Sequence, residues 1–223
     1  MHLGLYFNLD SLESLLLELE GKRFDLVTLV GDISDDLDQL AETLSMISSL
    51  PAQYGHFATM GNHEYYRGPK RVKRIYDNSS VPLLINQGRR IRVGESALYL
   101  GGADDPKMMG WSYDSERFYR SALEMSLSGA ASDDFRLLLS HRPGMFDYSA
   151  PEKVDLTLAG HTHGGQLGMM GRSAFEMFGD DLYLWGRYQK GASQLYTSSG
   201  VGHWFPFRLG CPAEAPIITL SRA

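Results

Sequence analysis

Asp32, Asn62, His63, His141, His161 and His163 are, taken together, the residues of this sequence best suited to chemistry: one carboxylate, one amide and four imidazoles. Each follows a short apolar run closely, in the groupings Gly31-Asp32, Gly61-Asn62-His63-Glu64, Ser140-His141 and Gly160-His161-Thr162-His163. Oxygen and nitrogen donors without thiolate suit Mn, Fe, Zn or Ni better than a structural zinc held by cysteines, and the amide speaks against a closed cage of four histidines. A lone Gly-Asp is usually a turn and a lone loop histidine is usually structural. Recurrence of the pattern after four apolar runs favours ligation.

Residues so far apart need elements that bring them together. The runs at 26–30, 57–60, 135–139 and 154–159 have the length and apolar character of buried parallel strands. In open α/β sheets, the residues just past the carboxyl ends of such strands border one crevice. Asp10 and Glu13 have capping-box spacing ahead of a leucine stripe that stops at Gly21, which predicts a first helix beginning near Asp10. Further helices are expected at 37–49 and 115–127. Strands are expected at 83–85, 91–93, 97–100, 194–197 and 216–220. The stretch 164–190 is rich in glycine, methionine and aromatic residues and lacks clean periodicity. No repeat, linker or low-complexity tract divides the chain, so a single domain over 1–223 is expected.

The 223 residues are 43% hydrophobic, 22% charged and 11% aromatic, proportions of a folded globular protein. A formal charge of −6 supplies no overall positive field for polynucleotide, so no nucleic-acid partner is expected. The single cysteine, Cys211, forms no internal disulfide. No apolar run approaches the ~20 residues of a membrane-spanning helix and no signal-peptide pattern is present, which leaves a cytoplasmic or membrane-associated location open.

The ordered set Gly31-Asp32, Gly61-Asn62-His63-Glu64, His141 and Gly160-His161-Thr162-His163 resembles the calcineurin-like metallophosphoesterase superfamily, whose motifs run D-x-H, GD, GNH[DE], H and GHxH. The continuation Gly164-Gly165-Gln166, the Tyr65-Tyr66 pair and the ending from Ser199-Gly200 to Pro206-Phe207-Arg208 are similar to a bacterial branch of small phosphodiesterases, many of which carry an N-terminal membrane anchor. The resemblance covers nearly the whole chain. It implies an α/β fold, a four-layer α-β-β-α sandwich of two mixed sheets. It also implies a binuclear centre of two divalent cations (Mn2+, Fe or Zn2+), with Asp32 shared, Asn62, His141 and His161 at one ion, and His2 and His163 at the other. Such a pair acidifies a bridging water, whose hydroxide attacks phosphorus in line, while His63 protonates the leaving oxygen as general acid. Asp35 and Glu64 are expected to orient ligand imidazoles. The D-x-H aspartate has no counterpart here, because only Met1 precedes His2. The expectation is therefore an N-terminally truncated chain that lacks the first strand and one ligand.

The implied activity is hydrolysis of a small phosphodiester or pyrophosphate-type substrate, lipid-linked ones included. The rival reading is a non-catalytic scaffold that keeps the fold for protein contacts. His203 is expected to line the substrate pocket and His56 to be structural. Arg67, Lys70, Arg71, Lys73 and Arg74 read first as a solvated helix face and second as a peripheral contact with anionic lipid. Met169, Met170, Phe175, Met177, Phe178 and Trp185 read as edge packing, and Asp104-Asp105 as a turn.

Overall fold

The computed structural model describes residues 1–4, 6–109, 115–179 and 183–221; the side chain of Phe178 lies outside the described part. Two β-sheets carry the architecture. The smaller contains β1 (Val27–Val30), β2 (His56–Thr59) and β3 (Leu83–Leu84) in the order β1-β2-β3. All its pairings are parallel, because each connection is a helical crossover: α2 (Leu37–Ser48) between β1 and β2, then α3 (Asn62–Arg67) and α4 (Pro69–Asp77) between β2 and β3. It is thus a purely parallel sheet, where a mixed one was expected.

The larger sheet is mixed. It comprises β4 (Gln87–Val93), β5 (Ser96–Gly102), β6 (Phe135–Leu139), β7 (Leu156–Ala159), β10 (Gly186–Lys190) and β11 (Ser193–Thr197), in the order β10-β11-β7-β6-β5-β4. Its centre is parallel and its two edges are hairpins. A two-stranded ribbon, β8 (Gly168–Met169) with β9 (Arg172–Ser173), stands outside both sheets.

Apolar side chains cement the layers. Phe57 and Leu84 of the smaller sheet meet Leu100, Leu137, Leu139 and Leu156 of the larger one. On the outer face of the smaller sheet, Leu37, Leu40 and Leu44 of α2 join Val72 and Tyr76 of α4 over Ala58 and Met60. On the outer face of the larger, Tyr119, Ala122 and Leu123 of α5 (Ser115–Leu127) cover Leu138 and Met145. The short α6 (Phe146–Ser149) buries Phe146 beside Ala159 and Leu195. This gives the four layers α-β-β-α. Among the described residues no helix is long and apolar enough to cross a membrane.

Three local expectations change. The first helix, α1 (Leu9–Glu18), is capped by Asn8, whose side chain accepts from the Ser11 N–H at 2.9 Å; Asp10 sits in the first turn, where the helix dipole favours a carboxylate. Residues 216–220 form no strand, because no described strand lies alongside to pair with them, and Ile217, Ile218 and Leu220 stay exposed. Strand β10 escapes the apolar pattern because it is a polar edge strand. The basic residues of α4 are a solvated face in part tied by ion pairs, Arg71 to Asp38 and Lys73 to Asp77.

Leu139, fully buried between the sheets, is the sharpest test of that inner layer. Leu139→Ala is expected to cost about 2–5 kcal/mol, read as a lowered urea midpoint with an unchanged m-value.

Candidate metal centre

The site lies at the carboxyl ends of β1, β2, β6 and β7, where Asp32, Asn62, His141 and His161 emerge from four loops. Two glycines let these loops meet. Gly31 has φ +78°, and a Cβ on it would lie 2.6 Å from the Gly61 nitrogen; a Cβ on Gly61 would lie 2.3 Å from Oδ1 of Asp32. The Gly-Asp and Gly-Asn-His motifs therefore begin with glycine because the two backbones touch beneath the Asp32 carboxylate.

Around Asp32 the donor atoms converge. Its Oδ2 lies 3.1 Å from His141 Nε2 and 3.5 Å from His2 Nε2. His141 Nε2 is also 3.1 Å from Asn62 Oδ1 and 3.1 Å from His161 Nδ1. The His2 ring neighbours those of His63 and His163, with centroids at 4.4 and 4.9 Å. Two sets that could hold an ion result, His2–Asp32–His63 and Asp32–His141–His161, each offering atoms within 4.8 Å of one another. His163 sits beside the first set, with a buried Nδ1 that has no hydrogen-bond partner.

Hydrogen-bond directions test whether a cation fits. His141 Nδ1 donates to the Val30 carbonyl at 2.7 Å, which assigns that nitrogen a proton. The neutral ring then turns the lone pair of Nε2 toward two oxygens that can only accept, Asp32 Oδ2 and Asn62 Oδ1. Such an arrangement needs positive charge in its midst. Burial opposes protonation of His141, yet the charge and hydrogen bond of Asp32 raise its pKa, which expresses the same demand as a proton. A divalent cation meets it as well, and the donors fit one.

The remaining imidazoles are prepared as neutral donors. Burial, then the charges of His141 and Arg142, bring His161 down to about 3; burial, then the N-terminal ammonium and His2, bring His163 to about 2. Asp32 is held well below the carboxylate range, because His141, His2 and His63 outweigh the penalty of its burial. His63 goes the other way: burial lowers its pKa, but the Asp35 hydrogen bond and the charges of Asp32, Asp35 and Glu64 raise it on balance.

Asp35 holds two imidazoles at once, accepting from His2 Nδ1 at 3.0 Å and His63 Nδ1 at 2.6 Å. Glu64 does not orient an imidazole. Its buried carboxylate accepts the backbone N–H groups of Gly61 at 2.8 Å and Asp32 at 2.9 Å on one oxygen, and of Ile33 at 2.8 Å on the other. Its position one turn into α3 aims it back at its own helix start and across to the β1 loop.

His203 belongs to neither donor set; it is half-buried, with Nδ1 enclosed and without a partner. Four further residues shape the site. Asp105 is buried and pairs with Arg142, Nε to Oδ2 at 2.8 Å, while Arg142 Nη1 lies 3.1 Å from His161 Nε2. Gln166 pins the tail through Trp204, Phe205 and Phe207, and Arg208 gathers the carbonyls of Ser199, Gly200 and Gly202. Gln166 and Arg208 stand in the motifs already singled out in the sequence, the one signal for Arg142 is its adjacency to His141, and Asp105 has none.

A two-sheet α/β sandwich with imidazole and carboxylate donors gathered at its strand ends defines the metallophosphoesterase class. The profile of the family described as calcineurin-like phosphoesterase matches residues 1–165, and the chain belongs to that family. It is 31% identical over 233 residues to an uncharacterized metallophosphoesterase of Aquifex aeolicus, covering 99% of this chain and 82% of that one. It is 26% identical over 227 residues to one of Helicobacter pylori, covering 99% of this chain but 57% of the relative, so the chain spans little more than half of that protein. Among solved structures, the calcineurin-like phosphoesterase YfkN of Bacillus subtilis superposes with a TM-score of 0.57 at 14% identity, over 87% of this chain and 74% of that one. That likeness carries the fold.

Glu64→Gln keeps the bulk but sets an amide N–H₂ against backbone N–H groups. The expected loss is about 1–3 kcal/mol, measured by urea unfolding, together with weaker Mn2+ binding by calorimetry as the two loops part.

Proposed function

We propose that the chain hydrolyses a phosphoester with two divalent cations held on either side of Asp32. One ion would take Asp32, Asn62, His141 and His161, and the other Asp32, His2 and His163. The observation that carries this reading is the pair of donor sets, His2–Asp32–His63 and Asp32–His141–His161, sharing a single carboxylate; His163, beside the first set with an unpartnered buried Nδ1, would take the ligand place of His63 there. When bound, divalent cations supply an acidified water and neutralise charge on the phosphoryl oxygens. A shared carboxylate suits ions only ~3.5–4 Å apart, which need negative charge between them.

His63 is assigned the general-acid role. Its Nδ1 donates to Asp35, so the transferable proton sits on Nε2, and its ring, within the first donor set, remains 19% exposed. The Asp35 hydrogen bond and the surrounding carboxylates raise the pKa of His63 against the effect of burial, which favours the protonated form an acid catalyst needs. The substrate would be a small phosphodiester or a pyrophosphate-type compound, lipid-linked ones included. The chain's negative charge disfavours polynucleotide.

Hydrolysis of bis(p-nitrophenyl) phosphate with Mn2+ tests the assignment. His63→Ala is expected to slow turnover by about 10²–10⁴-fold at unchanged Mn content, and Asp32→Ala to remove both metal and activity. Equal rates for His63→Ala and its parent would take His63 out of the mechanism; a parent chain that binds no Mn2+ would overturn the whole reading.

A further inference from the structure

Arg142 stands next to the candidate ligand His141, and the proposed hydrolysis gives it no part. It leaves the His141 loop in an extended conformation, with φ −95° and ψ 128°, immediately before Pro143 opens a 3₁₀ turn. Its side chain runs between a buried acid and the metal-ligand cluster. Asp105, whose side chain is fully buried, accepts from Nε at 2.8 Å and from Nη2 at 3.4 Å. Asp105 is itself fixed, its Oδ1 accepting the Lys107 backbone N–H at 2.7 Å and its own N–H donating to Asp104 Oδ1 at 2.8 Å. The other limb of the guanidinium, Nη1, reaches 3.1 Å from His161 Nε2.

This mounting exceeds what neutralising Asp105 requires. The side chain remains 25% exposed, and the limb that Asp105 does not engage lies against a candidate metal ligand. The surroundings are acidic: Asp32, Asp35 and Glu64 all lie around the same loops. A phosphoester anion approaching that cluster gains from a fixed cation whose Nη1 carries N–H donors for a phosphoryl oxygen.

We infer that Arg142 grips a non-bridging phosphoryl oxygen of the substrate through its Nη1 limb, and that Asp105 is the positioning residue that aims it. The inference rests on the phosphoesterase reading and names the group that recognises the anion. A guanidinium held in advance by Asp105 loses little conformational freedom on binding, so its contribution falls on affinity for the phosphoryl group.

The test compares the Mn-loaded parent chain with Arg142→Ala, Arg142→Lys and the charge-balanced double variant Asp105→Asn/Arg142→Gln. Inorganic phosphate is titrated by calorimetry, Mn content is measured by elemental analysis, and KM and kcat are measured on bis(p-nitrophenyl) phosphate. Arg142→Ala is expected to weaken phosphate binding and raise KM by about 10–100-fold, with Mn content equal to the parent. Arg142→Lys should recover part of that loss. The double variant leaves no buried carboxylate unpaired, so it should fold and show the full loss even where the alanine variant does not. Phosphate affinity unchanged in the double variant overturns the inference. So does a variant that loses Mn while its loaded fraction binds phosphate as the parent does, since Arg142 would then serve only His161. If the parent holds Mn but cleaves no phosphodiester, the hydrolase reading falls, and the phosphate titrations still decide Arg142.

Discussion

Three backbone N–H groups from two different loops end on the single buried carboxylate of Glu64, and the position of everything else at the site follows from that knot. Gly61 belongs to the end of β2, Asp32 and Ile33 to the end of β1, and the parallel pairing of those strands fixes their spacing below the knot. Glu64 ties the spacing above it. The contact of Gly31 with Gly61 then leaves the Asp32 side chain one place to go, with its Oδ1 accepting the His63 N–H at 2.9 Å and its Oδ2 facing the imidazoles. A buried carboxylate without partners would be costly, and one that collects three N–H groups is compensated where it lies. Burial and the nearby Asp32 charge nonetheless raise the pKa of Glu64, and the N–H groups of Ile33 and Asp32 act against that rise.

That crowding also shows in the backbone. His2, Asp32, His161 and His163 all have positive φ, at 56°, 51°, 71° and 52°. Residues other than glycine adopt this region at a cost of order 1–3 kcal/mol each, and they hold it only where the surroundings determine it. The determinants are the sheet ends, the Glu64 knot and, at His141, the Val30 carbonyl. Asn86, Lys153, Gln166, Met170 and Tyr183 share this backbone region, but at the site it falls on four donor residues together, while the apolar layer between the sheets is built from side chains in regular strands. Stability and chemistry are thus assigned to different parts of the same strands.

The division explains which features could be read without coordinates. Apolar runs make β1, β2, β6 and β7 plain in the sequence, β2, β6 and β7 as central strands and β1 as an edge strand whose Val30 packs into the layer between the sheets, and the donors after them stand in the loops that the strands' ends imply. Strand β4 is legible only at 91–93, because as an edge strand it exposes Gln87, Gly88, Arg89 and Arg90 and carries charge where a central strand carries apolar residues. The apolar run at 216–220 has the propensity of a strand but no described neighbour, and propensity without a partner does not make a ladder. Glu64 shows the same limit at the site. Its place in the Gly-Asn-His-Glu motif marks it as important, but whether a carboxylate meets an imidazole or a row of amides depends on the turn of a helix against a neighbouring loop. Arg142 and Asp105 are 37 residues apart, and no local pattern joins them.

The two donor sets are mounted differently, and the difference bears on how each would behave. Asn62, His141 and His161 stand on the ends of three strands packed between layers, and His141 is tied to the carbonyl of a fourth at Val30. The other set rests on less framed structure. His2 hangs from the β1 loop by its own N–H to the Asp32 carbonyl, with Asp35 on its ring, and His163 lies in a glycine-rich turn backed by a tail that Gln166 and Arg208 hold through backbone carbonyls. Displacing that tail would move His163 without disturbing a strand, whereas moving His141 means shifting a strand end of the larger sheet. Affinity for a cation depends on how little its ligands must move to receive it, so the strand-mounted set is the preorganised half of the centre.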